Sequence, residues 1–235
     1  MNRKMRATFL AGAFALAFMP GAKWNTQAQE AKGPYSKMAP VEQYMIPDRN
    51  AEIAFARSAA PESISRDAEV MVLGRHGYET AVKGTNGFVC LVGRSWNRND
   101  PNDPEFWNPK SLGANCCNPP AARGLLPMVY KRAEMALAGM SREQIMDGMK
   151  AFGENEAPAL EPGAMCIMMS KESYLTDAGS HNESHLMFYV PAGTDWGADL
   201  PGSQVQQGEK LIVGTRERVT EYLIPVRKWS DGTPQ

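Results

Sequence analysis

Histidine and cysteine are scarce in this chain, with three histidines and four cysteines among 235 residues. No two cysteines have the Cys-x-x-Cys spacing that supplies an attacking and a resolving sulfur, which argues against a thiol-exchange enzyme. The chain also lacks Gly-x-Ser-x-Gly, Ser-x-x-Lys, His-Glu-x-x-His, a phosphate-binding loop and a dinucleotide fingerprint. These absences argue against the enzyme classes that the motifs define, and no complete catalytic motif remains.

Long hydrophobic runs are also missing. The longest apolar run, residues 7–19, is well below the roughly twenty residues that a membrane-spanning helix needs. A basic head precedes this run, Pro20 ends it, and small residues follow at Ala22 and Ala28, which is typical of a secretory signal peptide. We expect residues 1–28 to be a signal peptide cleaved after Ala28, with Ala22 as the alternative. The mature protein would be secreted or periplasmic, with no stable membrane insertion.

Acidic residues are absent from the signal segment, which contains four basic residues. Its removal after Ala28 changes the net charge from −1 to −5. A mildly acidic mature protein is a poor candidate for binding nucleic acid or anionic lipid. The first cysteine, Cys90, is far from the cleavage site, so a lipid-modified N-terminal cysteine is excluded as well.

The chain is rich in turn-forming residues, with 21 glycines and 17 prolines, and this composition favours short elements. Residues 29–47 are polar and interrupted by proline, and we expect an arm that lies on the domain or stays mobile. Residues 48–235 would form a single domain. Helices are predicted at residues 48–59, 127–138 and 141–152, with a short helical turn at 119–125.

Strands are predicted on both sides of these central helices. The first group covers residues 69–73, 78–82 and 88–92, and Asn86-Gly87 favours a tight hairpin between the second and third of them. Later strands are expected at 164–170, 185–190, 211–214 and 220–226. The pattern indicates an α+β fold, a mainly antiparallel sheet with helices packed on one face. A doubly wound α/β fold is the alternative, but the strand pairs are too close together to need helical crossovers.

The four cysteines allow three complete pairings. A bond between the adjacent Cys116 and Cys117 would close a strained ring, which makes it the least favoured. Cys90 bonded to Cys116 or Cys117 would close a loop of about 26 residues and stabilise the fold by roughly 3 kcal/mol. We favour Cys90 with Cys116, which leaves Cys117 and Cys166 either bonded to each other or unpaired and buried.

Two histidines flank an acid just before an apolar strand. On an extended segment His181, Glu183 and His185 would face one side, and imidazole with carboxylate suits zinc, iron or copper. His76, in a distant turn, is a candidate for a third imidazole ligand. The alternatives are a polar loop with two surface histidines and a turn histidine that caps backbone groups.

Aromatic residues provide a second candidate site. Trp107 and Trp196, with Trp96 and Phe106, are suited to lining a groove for a carbohydrate or another small ligand. The alternative is that these rings fix the segment 97–118 onto the sheet. Both interpretations follow equally well from the sequence.

Four segments resemble a family of secreted bacterial proteins that has no established function. They are Gly-Thr-Asn-Gly-Phe-Val-Cys at 84–90, Asp-Pro-Glu-Phe-Trp-Asn-Pro at 103–109, Cys-Asn-Pro-Pro-Ala at 117–121 and His-Leu-Met-Phe-Tyr-Val-Pro at 185–191. The resemblance runs from about residue 40 to the end and implies no activity. Members tend to carry more histidines ahead of the last segment, where this chain has Asn182 and Ser184. A single cysteine precedes the Asn-Pro step in the family pattern, which supports Cys116 as the partner of Cys90.

Two functional hypotheses follow. The first is a secreted or periplasmic domain that binds a small molecule or an envelope protein without performing chemistry, near Trp107, Trp196 and the 181–185 loop. The second is a metal-binding protein or metalloenzyme that uses His181, Glu183 and His185 with zinc, copper or iron.

Overall fold

A mixed β-sheet organises the computed structural model, which describes residues 33–97, 103–179, 181, 183–191, 204–206 and 219–235, the segment 204–206 as backbone only. The described residues contribute eight strands. Their bounds are β1 Glu69–Gly74, β2 Gly77–Val82, β3 Val89–Arg94, β4 Leu112–Cys117, β5 Met165–Met168, β6 His185–Pro191, β7 Gln204–Gln206 and β8 Val219–Pro225.

The strand order is β2-β1-β3-β4-β5-β6-β8-β7. Only the pairing of β1 with β3 is parallel among these strands; the other neighbours are antiparallel. Short connections are sufficient for most antiparallel neighbours, whereas doubly wound folds need long crossovers. The prediction of an α+β fold with a mainly antiparallel sheet is therefore confirmed.

The turn at Asn86-Gly87 forms, but the hairpin predicted from it is wrong. Gly87 has φ +76°, and the Asn86 side chain accepts a hydrogen bond from the Phe88 N–H at 3.0 Å. The Thr85 N–H donates to the carbonyl oxygen of Asp67, just before β1. After β2 the chain thus runs past the beginning of β1. β3 therefore lies beside β1 on the side opposite β2. β2 instead pairs with β1 alone, through a two-residue turn.

Five α-helices occur in the described residues, and several of them begin at a side-chain cap. The Asp48 side chain accepts from the Asn50 N–H at 2.8 Å, and Ser141 and Gln144 form a reciprocal capping box. The helices are α1 Arg49–Arg57, α2 Glu62–Ser65, α3 Pro119–Gly124, α4 Leu126–Leu137 and α5 Arg142–Asn155. Two short 3-10 turns cover Val41–Tyr44 and Ser95–Asn97.

The helices pack on both faces of the sheet, which differs from the expectation of a single covered face. Successive side chains of a strand point to opposite faces. In β3, Cys90 and Val92 pack in a cluster with Phe55 of α1, whereas Leu91 packs with Leu126 of α4. Central strands that are buried on both sides need cover on both sides, and α1 and α3–α4 provide it.

A third apolar cluster joins the N-terminal segment to the connection before β4. Tyr44 is 1% exposed, and its ring lies 4.7 Å from that of Trp96. The Tyr44 hydroxyl donates to the Trp107 carbonyl oxygen at 2.7 Å. The described part of the arm therefore lies on the domain, and Ala31–Gln235 forms one compact unit.

Several sequence predictions lie outside the described residues. These are the signal peptide at 1–28, the strand at 211–214 and Trp196. Two of the observed strands, β4 and β7, are absent from the strands that the sequence predicts. In the part of the chain that the structure describes, no helix has the length and apolar character to span a bilayer.

Candidate functional site

A cavity of about 270 Å³ lies between the sheet and helices α3 and α4. The sheet forms its floor with Asn115, Cys117, Cys166, Tyr189 and Val219. One wall comes from the α3–α4 region, and residues 157–160 after α5 form another. Most of these side chains are apolar, which is typical of sites for small organic molecules.

The floor of the cavity contains a disulfide bond. Cys117 and Cys166 are direct partners across β4 and β5 and are bonded to each other. Asn115 lies two residues before Cys117 and so shares its face of β4. The other disulfide, Cys90–Cys116, is on the opposite face with α1. The predicted Cys90–Cys116 bond is confirmed, and of the two alternatives left open for Cys117 and Cys166, the structure shows the bond.

Helix α3 begins at a well-defined cap that fixes the helical wall. The Asn118 side chain accepts from the Ala121 N–H at 3.1 Å and donates to the Gly163 carbonyl oxygen at 2.8 Å. Gly124, at the end of α3, lies so close to the following wall that an added Cβ would be 3.2 Å from the Ala159 carbonyl oxygen. These contacts hold the helical wall against residues 157–163.

An exposed ion pair joins the same two walls. Arg123 of α3 donates two hydrogen bonds to Glu161, Nε to Oε1 at 2.7 Å and Nη2 to Oε2 at 2.6 Å. These hydrogen bonds and the positive charge of Arg123 hold the pKa of Glu161 below its ordinary value. The carboxylate therefore stays charged throughout the neutral range.

The cavity contains one charged side chain among its described lining residues. Arg132 of α4 is 1% exposed and lines the cavity. Its Nη1 donates to the Asn97 carbonyl oxygen at 3.3 Å. A guanidinium has five N–H donors, so it can serve several acceptors at once. The mainly apolar lining thus includes one basic residue, whose guanidinium binds a backbone carbonyl oxygen of the protein.

His185 is buried at the start of β6, with 7% of its surface exposed. Its Nδ1 lies 2.5 Å from the Glu183 carbonyl oxygen. In the sheet, His185 is paired with Met168 on one side and Pro225 on the other. The described polar contact of the ring is therefore with its own chain, and the backbone of His185 lies between β5 and β8.

The structure does not bring the other predicted metal ligands to His185. Exposed His181 forms a separate bridge with Tyr174, and its Nδ1 lies 2.8 Å from the Ser173 carbonyl oxygen. The alternation that would align His181, Glu183 and His185 fails because the chain bends at Ser184 and the strand begins only at His185.

His76 lies still further away. It occupies the exposed turn between β1 and β2, and four strand spacings, roughly 19 Å, separate β1 from β6. Across the described ranges, no group of three or more His, Cys, Asp or Glu side chains is arranged to hold a metal ion.

Trp107, one of the two tryptophans predicted to line a ligand groove, is a buried residue. Trp107 is 3% exposed and packs with Phe106 in the third cluster, with ring centroids 4.7 Å apart in an edge-to-face arrangement. A buried ring does not line an open groove. The rings instead pack in the third apolar cluster, which includes Ala133 of α4 and Ile145 of α5. Trp196 lies outside the described residues.

Sequence reasoning missed Arg132 and Asn115 as site residues. A signal for Arg132 was present, because Leu125, Val129 and Arg132 follow the three- and four-residue spacing of an apolar helix stripe. A basic residue on that stripe indicates a charge directed toward the core. Asn115 had no such signal, since β4 itself was not predicted.

Comparisons with protein-family models, with curated proteins and with solved structures found no match to this chain. The resemblance to a family of secreted bacterial proteins therefore stays a prediction. The function has to be argued from the site itself.

Proposed function

We propose that this protein is an exported, non-catalytic binding protein that holds a small, mainly apolar molecule in the cavity beneath α3 and α4. The observation that carries the proposal is the cavity of about 270 Å³ with its largely apolar lining. A space of this size and lining suits an organic ligand just below the usual size of drug-like molecules.

The position in the fold supports the same proposal. The cavity is bounded on one side by strands that a disulfide joins and on the other by helices that an ion pair fastens to residues 157–163. A prearranged site loses less conformational entropy on binding than one that must order itself. Export is supported by two disulfides, since such bonds persist in oxidising compartments.

A neutral fluorescent probe tests this function. N-phenyl-1-naphthylamine is apolar and uncharged, and its emission rises when it leaves water. We expect saturable binding to the wild-type protein. Val129→Trp fills the cavity from α4 and is expected to weaken probe binding about tenfold or more, because the indole occupies the ligand volume.

Met140→Trp is the matched control, because Met140 is 39% exposed and lies outside the cavity lining. It adds the same indole and is expected to leave probe binding unchanged. Absence of saturable binding to the wild type would contradict the proposal. Equal binding by Val129→Trp and the wild type would place the probe elsewhere and would contradict it as well.

A further inference from the structure

An uncharged polar side chain on the floor of the cavity indicates which small molecules it takes. Ala114 and Cys116 of β4 pack in the cluster with α1, so the side chain of Asn115 between them points to the opposite face, as does that of Cys117. Asn115 lines the cavity, and its Oδ1 lies 3.7 Å from the Sγ of Cys117, which lines the cavity too. The carboxamide of Asn115 is therefore part of the cavity floor, beside the disulfide.

The hydrogen-bonding groups of this carboxamide are available to a ligand. The backbone of Asn115 pairs with Leu91 of β3, and this pairing does not involve the side chain. The sulfur beside Oδ1 belongs to a disulfide and has no hydrogen to donate. Within the described ranges, the Asn115 side chain forms no other hydrogen bond. It thus presents two N–H donors and one carbonyl acceptor in one plane.

From this placement, and resting on the proposed function, we propose that the ligand is a small apolar molecule with a primary amide or lactam group, which pairs with the Asn115 carboxamide. In both groups an N–H and the carbonyl oxygen lie on the same side, so that two parallel hydrogen bonds join the two amides. The apolar part of the ligand lies against Leu126 and Val129 of α4. The amide brings no charge, which suits a mainly apolar lining because an unpaired charge is costly to bury.

Other polar groups match this carboxamide less completely. A hydroxyl, an ester or a ketone does not present a donor and an acceptor side by side in one plane. An ordinary secondary amide has its N–H and its carbonyl oxygen on opposite sides, and the cis form that would pair costs about 2.5 kcal/mol. A polar group that leaves water without gaining a partner lowers the affinity, so the site distinguishes these groups from a primary amide.

Three probes test the inference on the unmodified protein. They are octanamide, its isomer N-methylheptanamide, and 1-octanol, which tests the apolar site by itself. The two amides contain the same atoms, but only octanamide has an N–H on the side of its carbonyl oxygen. Isothermal titration calorimetry should give a Kd for octanamide about fivefold or more below that for N-methylheptanamide, because one further hydrogen bond is formed. 1-Octanol should bind saturably.

Replacement of Asn115 connects the preference to this side chain. Asn115→Leu keeps the size of the side chain and removes its donors and acceptor, so this variant should bind the two amides with similar Kd values. Asn50→Leu is the matched control, because Asn50 is exposed on α1, across the sheet from the cavity, and this variant should keep the wild-type preference.

NMR on the wild type gives a second measurement that does not depend on the folding of Asn115→Leu. The side-chain NH2 signals of Asn115 should shift on binding of octanamide, and they should shift less on binding of 1-octanol. Nuclear Overhauser effects between these NH2 protons and the amide protons of bound octanamide are also expected.

The failures of the two proposals are distinguishable. If the wild type binds 1-octanol and binds both amides with equal Kd values, the amide proposal is wrong while the apolar site remains. If Asn115→Leu retains the full preference, or the Asn115 signals do not respond to octanamide, the assignment to Asn115 is overturned. If none of the three probes binds, both proposals are contradicted.

Discussion

Cys116 and Cys117 are neighbours in β4, yet they form disulfides in opposite directions. Cys116 is bonded to Cys90 in β3 on the α1 face, and Cys117 to Cys166 in β5 on the cavity face. Alternation of side chains along an extended strand makes this arrangement possible. Three adjacent strands at the centre of the sheet are thus covalently joined.

Removing either disulfide should destabilise the fold strongly. The bonded residues are 26 and 49 positions apart, which corresponds on the chain-entropy relation to about 3.5 and about 4 kcal/mol. Urea unfolding of the Cys90→Ala/Cys116→Ala and Cys117→Ala/Cys166→Ala proteins would measure these losses. Losses below about 1 kcal/mol in both proteins would contradict this estimate.

The two disulfides should differ in their effect on ligand binding. Cys117 and Cys166 line the cavity, whereas Cys90 and Cys116 lie on the opposite face. We therefore expect weaker N-phenyl-1-naphthylamine binding after loss of the cavity disulfide and little change after loss of the other. Both proteins should be measured under conditions where they are folded. Equal effects of the two replacements would argue against the cavity as the binding site.

The buried ion pair between Arg94 and Glu52 should show energetic coupling in a double-mutant cycle. The Arg94 Nη2 donates to Glu52 Oε1 at 2.8 Å, and the two side chains are 0% and 3% exposed. Glu52→Ala or Arg94→Met alone leaves a buried charge without this partner and should cost about 3–5 kcal/mol. In the double variant we expect a loss of unfolding free energy that is clearly smaller than the sum of the losses in the two single variants. Urea unfolding of all four proteins measures these losses. Additive losses would show that the pair is not coupled.

Stability should fall in the alkaline range because of Tyr44. Burial raises the pKa of the Tyr44 hydroxyl from 10.0 to about 12. Above pH 10 the unfolded chain releases this proton while the folded protein retains it, so the stabilising contribution present below pH 10 is lost as the pH rises toward about 12. This site alone would give a slope of up to about 1.4 kcal/mol per pH unit.

Tyr44→Phe provides the comparison. At neutral pH it should destabilise the protein by about 1 kcal/mol, because the hydrogen bond to the Trp107 carbonyl is lost. Phenylalanine has no proton to release, so the stability difference between the two proteins should narrow above pH 10. Urea unfolding as a function of pH measures this difference. A difference that does not change with pH would contradict the assigned pKa.

Loss of the Arg123–Glu161 ion pair should speed ligand exchange more than it lowers stability. Both side chains are well exposed, so the pair contributes little to folding, but it fastens residues 157–163 to α3. Arg123→Gln should raise the dissociation rate of the bound probe in stopped-flow measurements, with little change in the unfolding midpoint. Lys150→Gln, on an exposed part of α5, is the control.

The same ion pair gives an expectation for acid conditions. Because the folded-state pKa of Glu161 is lowered, its stabilising contribution is present above the ordinary glutamate pKa and is lost as the pH falls through the lowered value. The wild-type dissociation rate should therefore be constant near neutral pH and rise only in acid. A rate in Arg123→Gln equal to that of the wild type would contradict a role for the pair in retaining ligand.

Local signals predicted most of the elements. The helices predicted at 48–59, 127–138 and 141–152 formed as α1, α4 and α5. Each begins at a signal that acts within one helical turn: the Asp48 cap, a proline in the first turn of α4 and the Ser141 capping box. The Cys90–Cys116 bond was also correct. The fold class followed from the order of short strands and helices along the chain.

Features that depend on distant residues were predicted less well. The Asn86-Gly87 turn formed, but β3 after it pairs with β1 and not with β2. Residues near the turn do not determine this choice of partner, because it depends on the position of β1. β4 was missed because its sequence, Leu-Gly-Ala-Asn-Cys-Cys, has little β-branched or aromatic character and is held as a strand by its neighbours and two disulfides. The cavity arises on one face of the sheet beneath α3 and α4, and the order of elements along the chain did not reveal that helices cover both faces.

The most direct test of ligand binding in the cavity is an NMR measurement of intermolecular contacts between 1-octanol and methyl groups of the protein. Nuclear Overhauser effects are expected from the alkyl chain of the bound alcohol to methyl groups of Leu126 and Val129, which line the cavity. Contacts confined to methyl groups on the α1 face, such as those of Val70 and Val92, or no contacts at saturating 1-octanol, would contradict the account.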